Sequence, residues 1–372
     1  MRVKLKDVCT FYTGTGFPKK YQGQLSGTYP FYKVGDIANN VVSGKVYLEQ
    51  CNNYISEETL ELIKGSIIPK NTIVFAKIGE ALKLNRRAIT STDCLIDNNA
   101  MGIAAKSDKL RTLFFYYFMK NIKMELLAES TTVPSVRKSR LEAYEIDIPS
   151  LDEQKIIEGK LTILSKVINL KEKQLLKLDE LVKARFVEMF GDPVSNSKDL
   201  PVQKMNNVAP ICQYDGSFEE SVWLLNLDMV ESQTGRIINY NIVSKDEIGG
   251  SVCTFDENNV LYSKLRPYLN KVVIPDGKGY ATSELVPLRP DPKIINRIYL
   301  AYLLRSNEFV EMIKEKVAGA KMPRVSMSDF REFNVPVPPL ELQNQFASFV
   351  EEIDKSRLLS NHSLFLIKSI IF

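Results

Sequence analysis

The stretch IDIPSLDEQ (146–154) decides how the chain is built. Pro149 favours an extended approach, and Ser150 with Glu153 makes an S-x-x-E capping box, so a helix starts near Leu151. Sampling every seventh residue gives Ile157, Leu164, Lys171, Leu178 and Arg185 in one series and Leu161, Ile168, Leu175, Val182 and Met189 in the other. All but Lys171 and Arg185 are apolar, which is a coiled-coil seam rather than a broad core face. The helix stops at Gly191, where a left-handed C-cap costs little, and Pro193 forbids continuation. At about 1.5 Å per residue, roughly forty residues make a rod about 60 Å long. Such a rod needs a partner helix.

The partner lies in the same chain. One constant shift carries IPSLDEQ (148–154) onto VPPLELQ (337–343), and Pro134 and Val136 onto Pro323 and Val325. The heptads survive the shift as Phe346, Ile353, Ser360 and Ile367 and as Val350, Arg357, Leu364 and Ile371. Leu342 stands where the first copy has Glu153, so the second helix lacks the capping box. An internal repeat sets architecture before any motif does. The fold class is α+β: two mixed α/β globules, 1–150 and 191–336, related by the repeat and joined by two long helices, 151–190 and 337–372.

A chain of 372 residues with 44% hydrophobic residues supports about two domains with real cores. Five scattered cysteines without C-x-x-C spacing point to reduced thiols in a cytosol, and no run reaches the ~18 apolar residues of a membrane span. The expected location is cytoplasmic. The net charge of +4 is modest; the positive excess sits in the first globule, and the second is slightly acidic. Any polyanion must therefore be met by local clusters rather than bulk charge.

In the first globule, VCTFYTGTGFPKKYQG (8–23) is an irregular loop carrying Lys19 and Lys20. YPFYKVGDI (29–37) and NTIVFAKIG (71–79) have strand composition. EALKLNRRAI (80–89) follows, placing Lys83, Asn85, Arg86 and Arg87 close to Lys77 at a strand end. Arg, Lys and Asn are the side chains that bond phosphates and base edges. A helix is expected from Asp108 through LRTLFFYYFMKNIKMELL (110–127), its aromatics in the core, and then a turn with Ser135, Arg137 and Lys138. The second globule repeats the plan after the polar linker GDPVSNSKDLP (191–201). VWLLNLDMVESQTGRI (222–237) parallels the first strand region, with Gly235 in the place of Gly44. NNVLYSKLRPYLNKVVI (258–274) puts Lys264, Arg266, Tyr268, Asn270 and Lys271 where the first basic cluster stands, and Lys321 and Arg324 occupy the exit turn. Recurrence of the cluster at one position in two divergent copies is stronger evidence of a functional role than either alone.

Catalytic patterns are missing. The only histidine, His362, lies on the terminal helix, so a His-dependent triad or a His-rich metal site cannot be assembled in the globules. There is no phosphate-binding G-x-x-x-x-G-K-[ST] loop and no Asn-Pro-Pro-Tyr-like tetrapeptide, and Gly14 and Gly16 lack the third glycine of a dinucleotide fingerprint. Glu153 and Lys155 match the tail of a nuclease E-x-K signature, but in a first helical turn they read as a cap and a surface charge.

Two globules, each followed by a P-x-L-x-x-Q segment and a heptad helix, resemble the DNA specificity (S) subunit of type I restriction-modification enzymes over essentially the whole chain. The resemblance implies that each globule is a target recognition domain reading half of a split double-stranded DNA sequence. The helices then pack antiparallel as a ruler through Ile157, Leu161, Leu164, Ile168, Leu175, Leu178 and Val182 against Phe346, Val350, Ile353, Leu364 and Ile367. It further implies two methyltransferase (M) subunits and restriction/translocase (R) subunits as partners. S-adenosylmethionine, ATP and Mg belong to those partners, and this chain has no catalytic or metal-binding residue of its own. The rival readings are a protein-only coiled-coil scaffold and a single-chain nuclease.

Overall fold

In a computed structural model, which describes residues 1–129, 133–315 and 322–371, the capping box forms as the sequence requires. Ser150 N–H donates to Glu153 Oε2 (2.9 Å) and Glu153 N–H donates back to Ser150 Oγ (3.3 Å), which opens a helix over Leu151–Phe190. Gly191 closes it with φ +72°, and a Cβ there would lie 2.3 Å from Ser197 Oγ, so both conformation and space demand glycine. The second long helix, Leu340–Ile371, starts without a box; the Pro339 carbonyl accepts from the Leu342 and Gln343 N–H groups instead.

The chain divides into two compact units. One is Met1–Lys171 with the end of the second long helix from Leu364, and the other is Glu172–Ser363. The boundaries between the units fall within both long helices. In the second unit, Phe346 meets both Phe186 and Phe190 at ring separations of 5.5 Å, and Arg357 meets Asp179 at 2.5 Å. Numbers rise on one helix as they fall on the other, so the pair is antiparallel. Ile168, Val182, Phe346, Val350 and Leu364 are buried, and Leu164, Leu175, Leu178, Ile353 and Ile367 are half-buried. Ile157 and Leu161 pack against the first globule's own core, while Val182, Phe186 and Phe190 join the second globule's core with Tyr299. The heptad stripe serves helix pairing along part of its length and globule anchoring at its ends.

The first globule has a five-stranded sheet in the order Cys9–Thr13, Ala100–Ala105, Thr72–Ala76, Arg87–Thr90, Tyr47–Leu48, and a three-stranded sheet of Tyr54–Ile55, Tyr29–Tyr32 and Leu95–Ile96. Only YPFY of YPFYKVGDI is a strand. Asp36 Oδ2 accepts from Lys33 N–H at 2.8 Å and starts a helix over Val34–Val42 that the strand-like composition concealed. The expected helix beyond Asp108 is shorter too, Thr112–Asn121, with Phe114, Phe115, Tyr116 and Tyr117 buried as anticipated. A 3-10 turn, Met124–Leu127, follows it.

The second globule holds a four-stranded sheet (Ile242–Ser244, Ser221–Leu225, Gly279–Thr282, Val252–Phe255) and a three-stranded one (Val272–Val273, Val260–Ser263, Leu285–Leu288). Equivalent pairings mark the repeat. Arg2–Lys4 pairs antiparallel with Glu145–Asp147 just before the first long helix, as Val202–Lys204 pairs with Asn334–Pro336 before the second. Phe31 pairs parallel with Leu95, as Trp223 does with Gly279. The copies diverge after that strand, where the second has a 3-10 turn, Leu227–Met229, in place of the Val34–Val42 helix.

Candidate nucleic-acid interface

In each globule the strand bearing the key lysine ends against the exit turn that leads to the long helix. Val136 N–H donates to the Lys77 carbonyl (2.9 Å) and Gly79 N–H to the Pro134 carbonyl (2.8 Å). In the second copy Val325 N–H donates to the Lys264 carbonyl (2.9 Å) and Arg266 N–H to the Pro323 carbonyl (2.8 Å). Bridges between Ile78 and Ser135 and between Leu265 and Arg324 complete the same strap. Gly79 (φ +74°) and Arg266 (φ +48°) both take positive φ there, and Arg266 is in the left-handed region. The two basic segments anticipated in each copy are therefore neighbours, and the neighbourhood is duplicated.

Not every cation there is available. Among the described residues no carboxylate lies within ion-pair distance of Lys77, Arg86, Lys264 or Arg266, and Arg266 is exposed. Lys19 and Lys20 sit exposed on a 3-10 turn, Lys19–Tyr21, with Lys20 Nζ 4.7 Å from the Tyr21 ring centroid. Gln22 and Asn53 tie this loop down, through Gln22 Nε2 to the Phe17 carbonyl and Gly23 N–H to Asn53 Oδ1. Tyr268 is exposed beside Arg266. By contrast Lys83 pairs with Glu80, Arg137 with Glu129, Lys138 with Glu142, and Arg324 with Glu284. Its hydrogen bond from Arg324 holds Glu284 below the usual carboxylate range, so this pair is charged at neutral pH.

Four of the anticipated contact residues are turned to structural use. Arg87, only 2% exposed, donates to the Asn85 and Ile122 carbonyls and to Asn85 Oδ1, and burial pulls it down to about 10. It lies inside the protein because Arg87–Thr90 is buried on both faces. Asn85 and Asn270 both adopt left-handed backbone and cap equivalent helices, donating to the carbonyls of Lys120 (3.2 Å) and Arg305 (2.9 Å). Lys271 donates to the Leu227 carbonyl at 2.6 Å, and burial lowers it. Ser135 contributes its backbone to the strap, accepting from Glu129 N–H. Lys321 lies outside the described residues.

Sequence reasoning gave the glutamine of P-x-L-x-x-Q no role, yet Gln154 and Gln343 are fully buried. Gln154 accepts from Arg111 N–H (2.9 Å) and donates to the Lys109 and Pro149 carbonyls. Gln343 accepts from Asn296 N–H (2.8 Å) and donates to the Ile294 and Pro338 carbonyls. Each sews the loop before a globule helix to the first turn of its long helix, and its identity in both copies was the signal. A bidentate Arg111–Glu158 pair (2.9 and 3.0 Å) adds a second stitch in the first unit.

Among the described residues no cluster of His, Cys, Asp and Glu could hold a metal ion, and no helix is long and apolar enough to cross a membrane. The class defined by this geometry is a tandem repeat of one mixed α/β module, each copy rooted on its own long helix and carrying basic residues at the same strand end. The family model described as the type I restriction modification DNA specificity domain matches residues 1–180 and 228–367, and the chain belongs to that family. The EcoDI type I restriction enzyme specificity subunit of Escherichia coli is 24% identical over 282 residues, covering 66% of this chain and 63% of that subunit. The MjaIX specificity subunit of Methanocaldococcus jannaschii is 20% identical over 398 residues, covering 99% and 89%. Among solved structures, the S subunit of a type I restriction-modification system from M. genitalium gives a TM-score of 0.56 at 15% identity, over 100% of this chain and 93% of that one. A chain from work on complex assembly and conformational transition in the type I R-M system gives 0.59 at 16%, over 100% and 95%. These likenesses in structure are likenesses of fold.

Proposed function

We propose that the chain is the DNA-recognition subunit of a type I restriction-modification complex, each globule reading one half of a bipartite double-stranded target. The observation that carries this reading is the duplicated strap, in which Lys77 and Lys264 occupy equivalent strand ends and Arg266 takes part in the second copy. Unpaired cations on ordered backbone anchor phosphates, and neighbouring side chains then reach base edges. The slightly acidic second globule fits, because a local cluster rather than bulk charge meets the duplex. By this reading Lys19, Lys20, Lys77, Arg86, Lys264, Arg266 and Tyr268 contact DNA directly. Lys83, Arg137, Lys138 and Arg324 do so only by exchanging a carboxylate for a phosphate.

Ile156, Ile163 and Leu170 recur every seven residues on the outer face of the first long helix, and Leu358, Leu359, Phe365 and Leu366 are exposed on the second. Apolar side chains in such rows mark faces that a protein covers. In this proposal two methyltransferase subunits cover them and bring the restriction/translocase subunits, with S-adenosylmethionine, ATP and Mg bound by those partners.

Footprinting of the chain assembled with its methyltransferase tests the reading. Two protected patches separated by an unprotected gap are expected on target DNA. Uniform absence of protection overturns DNA reading in favour of a protein-only scaffold, and cleavage by the purified chain alone would establish a nuclease.

A further inference from the structure

The second globule touches its helices at a point that its hydrophobic core does not use. Asp179, seven residues before Phe186 on the first long helix, accepts both bonds of a bidentate contact from Arg236 Nη2 at 2.6 and 2.7 Å. The same carboxylate accepts from Arg357 on the second long helix at 2.5 Å. Arg357 stands at a seam position with its side chain 11% exposed, and Asp354 is its other partner. One carboxylate thus joins both helices and the globule.

The turn that carries Arg236 is closed by backbone hydrogen bonds and packed closely. Glu231 N–H donates to the Arg236 carbonyl (2.8 Å) and Gly235 N–H to the Glu231 carbonyl (3.1 Å). Gly235 has φ +68° and lies so close to the Val272 carbonyl that a Cβ would stand 1.8 Å from its oxygen. From this turn Gln233 reaches the basic cluster, its N–H donating to the Leu269 carbonyl and its Nε2 to the Tyr268 carbonyl, each at 2.9 Å. Leu269 N–H in turn donates to the Arg266 carbonyl at 2.9 Å. Ordered contacts therefore run from Asp179 through Arg236 and Gln233 to the turn bearing Arg266 and Tyr268.

We propose that Asp179 and Arg236 are positioning residues that hold the Arg266–Asn270 turn at a fixed setting on the helices, and thereby define which gap length between half-sites is accepted. The inference rests on the DNA-reading function proposed above. A site held to within about 0.5 Å discriminates, and a looser one tolerates misplaced partners. Arg236 is suited to a test because its side chain is 43% exposed and lies outside the cores.

The experiment uses the full chain assembled with its methyltransferase, and duplexes carrying the target defined by the host methylome with its own gap or a gap one base pair longer or shorter. Arg236→Ala should keep affinity for the native gap within about threefold while its preference over the altered gaps falls at least about fivefold, the scale of one well-made, partly screened ion pair. Arg236→Lys should recover part of that preference. Arg266→Ala should weaken all three duplexes alike. Should Arg236→Ala fail to assemble, the isosteric Asp179→Asn gives the same readout. Wild-type gap preference in an assembled Arg236→Ala or Asp179→Asn complex overturns the proposal. Absence of DNA binding or of any gap preference in the wild type would instead overturn the reading on which it rests.

Discussion

Arg86 and Arg87 are adjacent and identical in type but differently placed. Among the described residues neither has a carboxylate partner, but Arg87 is enclosed and bonded to carbonyls whereas Arg86 is half-buried. Residue type was legible in the sequence, but direction was not. Inward and outward positions separate by alternation only when one face of a strand is wet, and Arg87–Thr90 is buried on both. The left-handed Asn85 and Asn270 escaped for a related reason, since an asparagine that caps a distant helix reads in one dimension like one that reads a base. The pair makes a sharp comparison. Arg87→Ala removes several buried hydrogen bonds and leaves a cavity, and should lower stability by about 2–4 kcal/mol in urea unfolding. Arg86→Ala should stay within about 0.5 kcal/mol of wild type, yet weaken DNA binding by the complex and reduce its salt-dependence slope by about one.

At the scale of elements, the long helices were the most legible part of the chain. Their start at Leu151, their stop before Gly191 and their repetition at Leu340 follow from a capping box, a left-handed glycine and a constant shift, all local signals. What was hidden is tertiary. The ends of the heptad stripe were assigned to a partner helix, but Ile157 and Leu161 belong to a globule's core, because periodicity reveals that a face is covered and not by what. The buried glutamines share that character, as two of the three partners of each lie more than forty residues away. Gln343→Ala leaves the Asn296 N–H and the Ile294 and Pro338 carbonyls without this partner, and should cost about 2–3 kcal/mol by thermal or urea unfolding. Gln154→Ala should cost a similar amount, since its three bonds are the same. A loss below about 0.5 kcal/mol at either site would mean that the stitch is dispensable.

At the scale of the whole molecule, the repeat fixes the argument. Two copies of a reader in one chain acquire a combined specificity only if something rigid relates them, and the paired long helices are the elements common to both units. If they act as a ruler, length added in whole heptads preserves the apolar seam and changes only the distance measured. Seven residues inserted between Lys173 and Leu175, with a matching seven between Ser360 and Leu364, should lengthen the strut by about 10.5 Å. With ~3.4 Å per base pair in duplex DNA, the gap between half-sites should grow by about three base pairs. The half-site letters should not change, because the Lys77 and Lys264 straps are untouched. An insertion of four residues in one helix alone breaks the heptad phase and should instead impair assembly. Methylome sequencing of hosts carrying each variant reads gap and letters together. A lengthened strut that still methylates the original gap would show that the helices connect the readers without measuring for them.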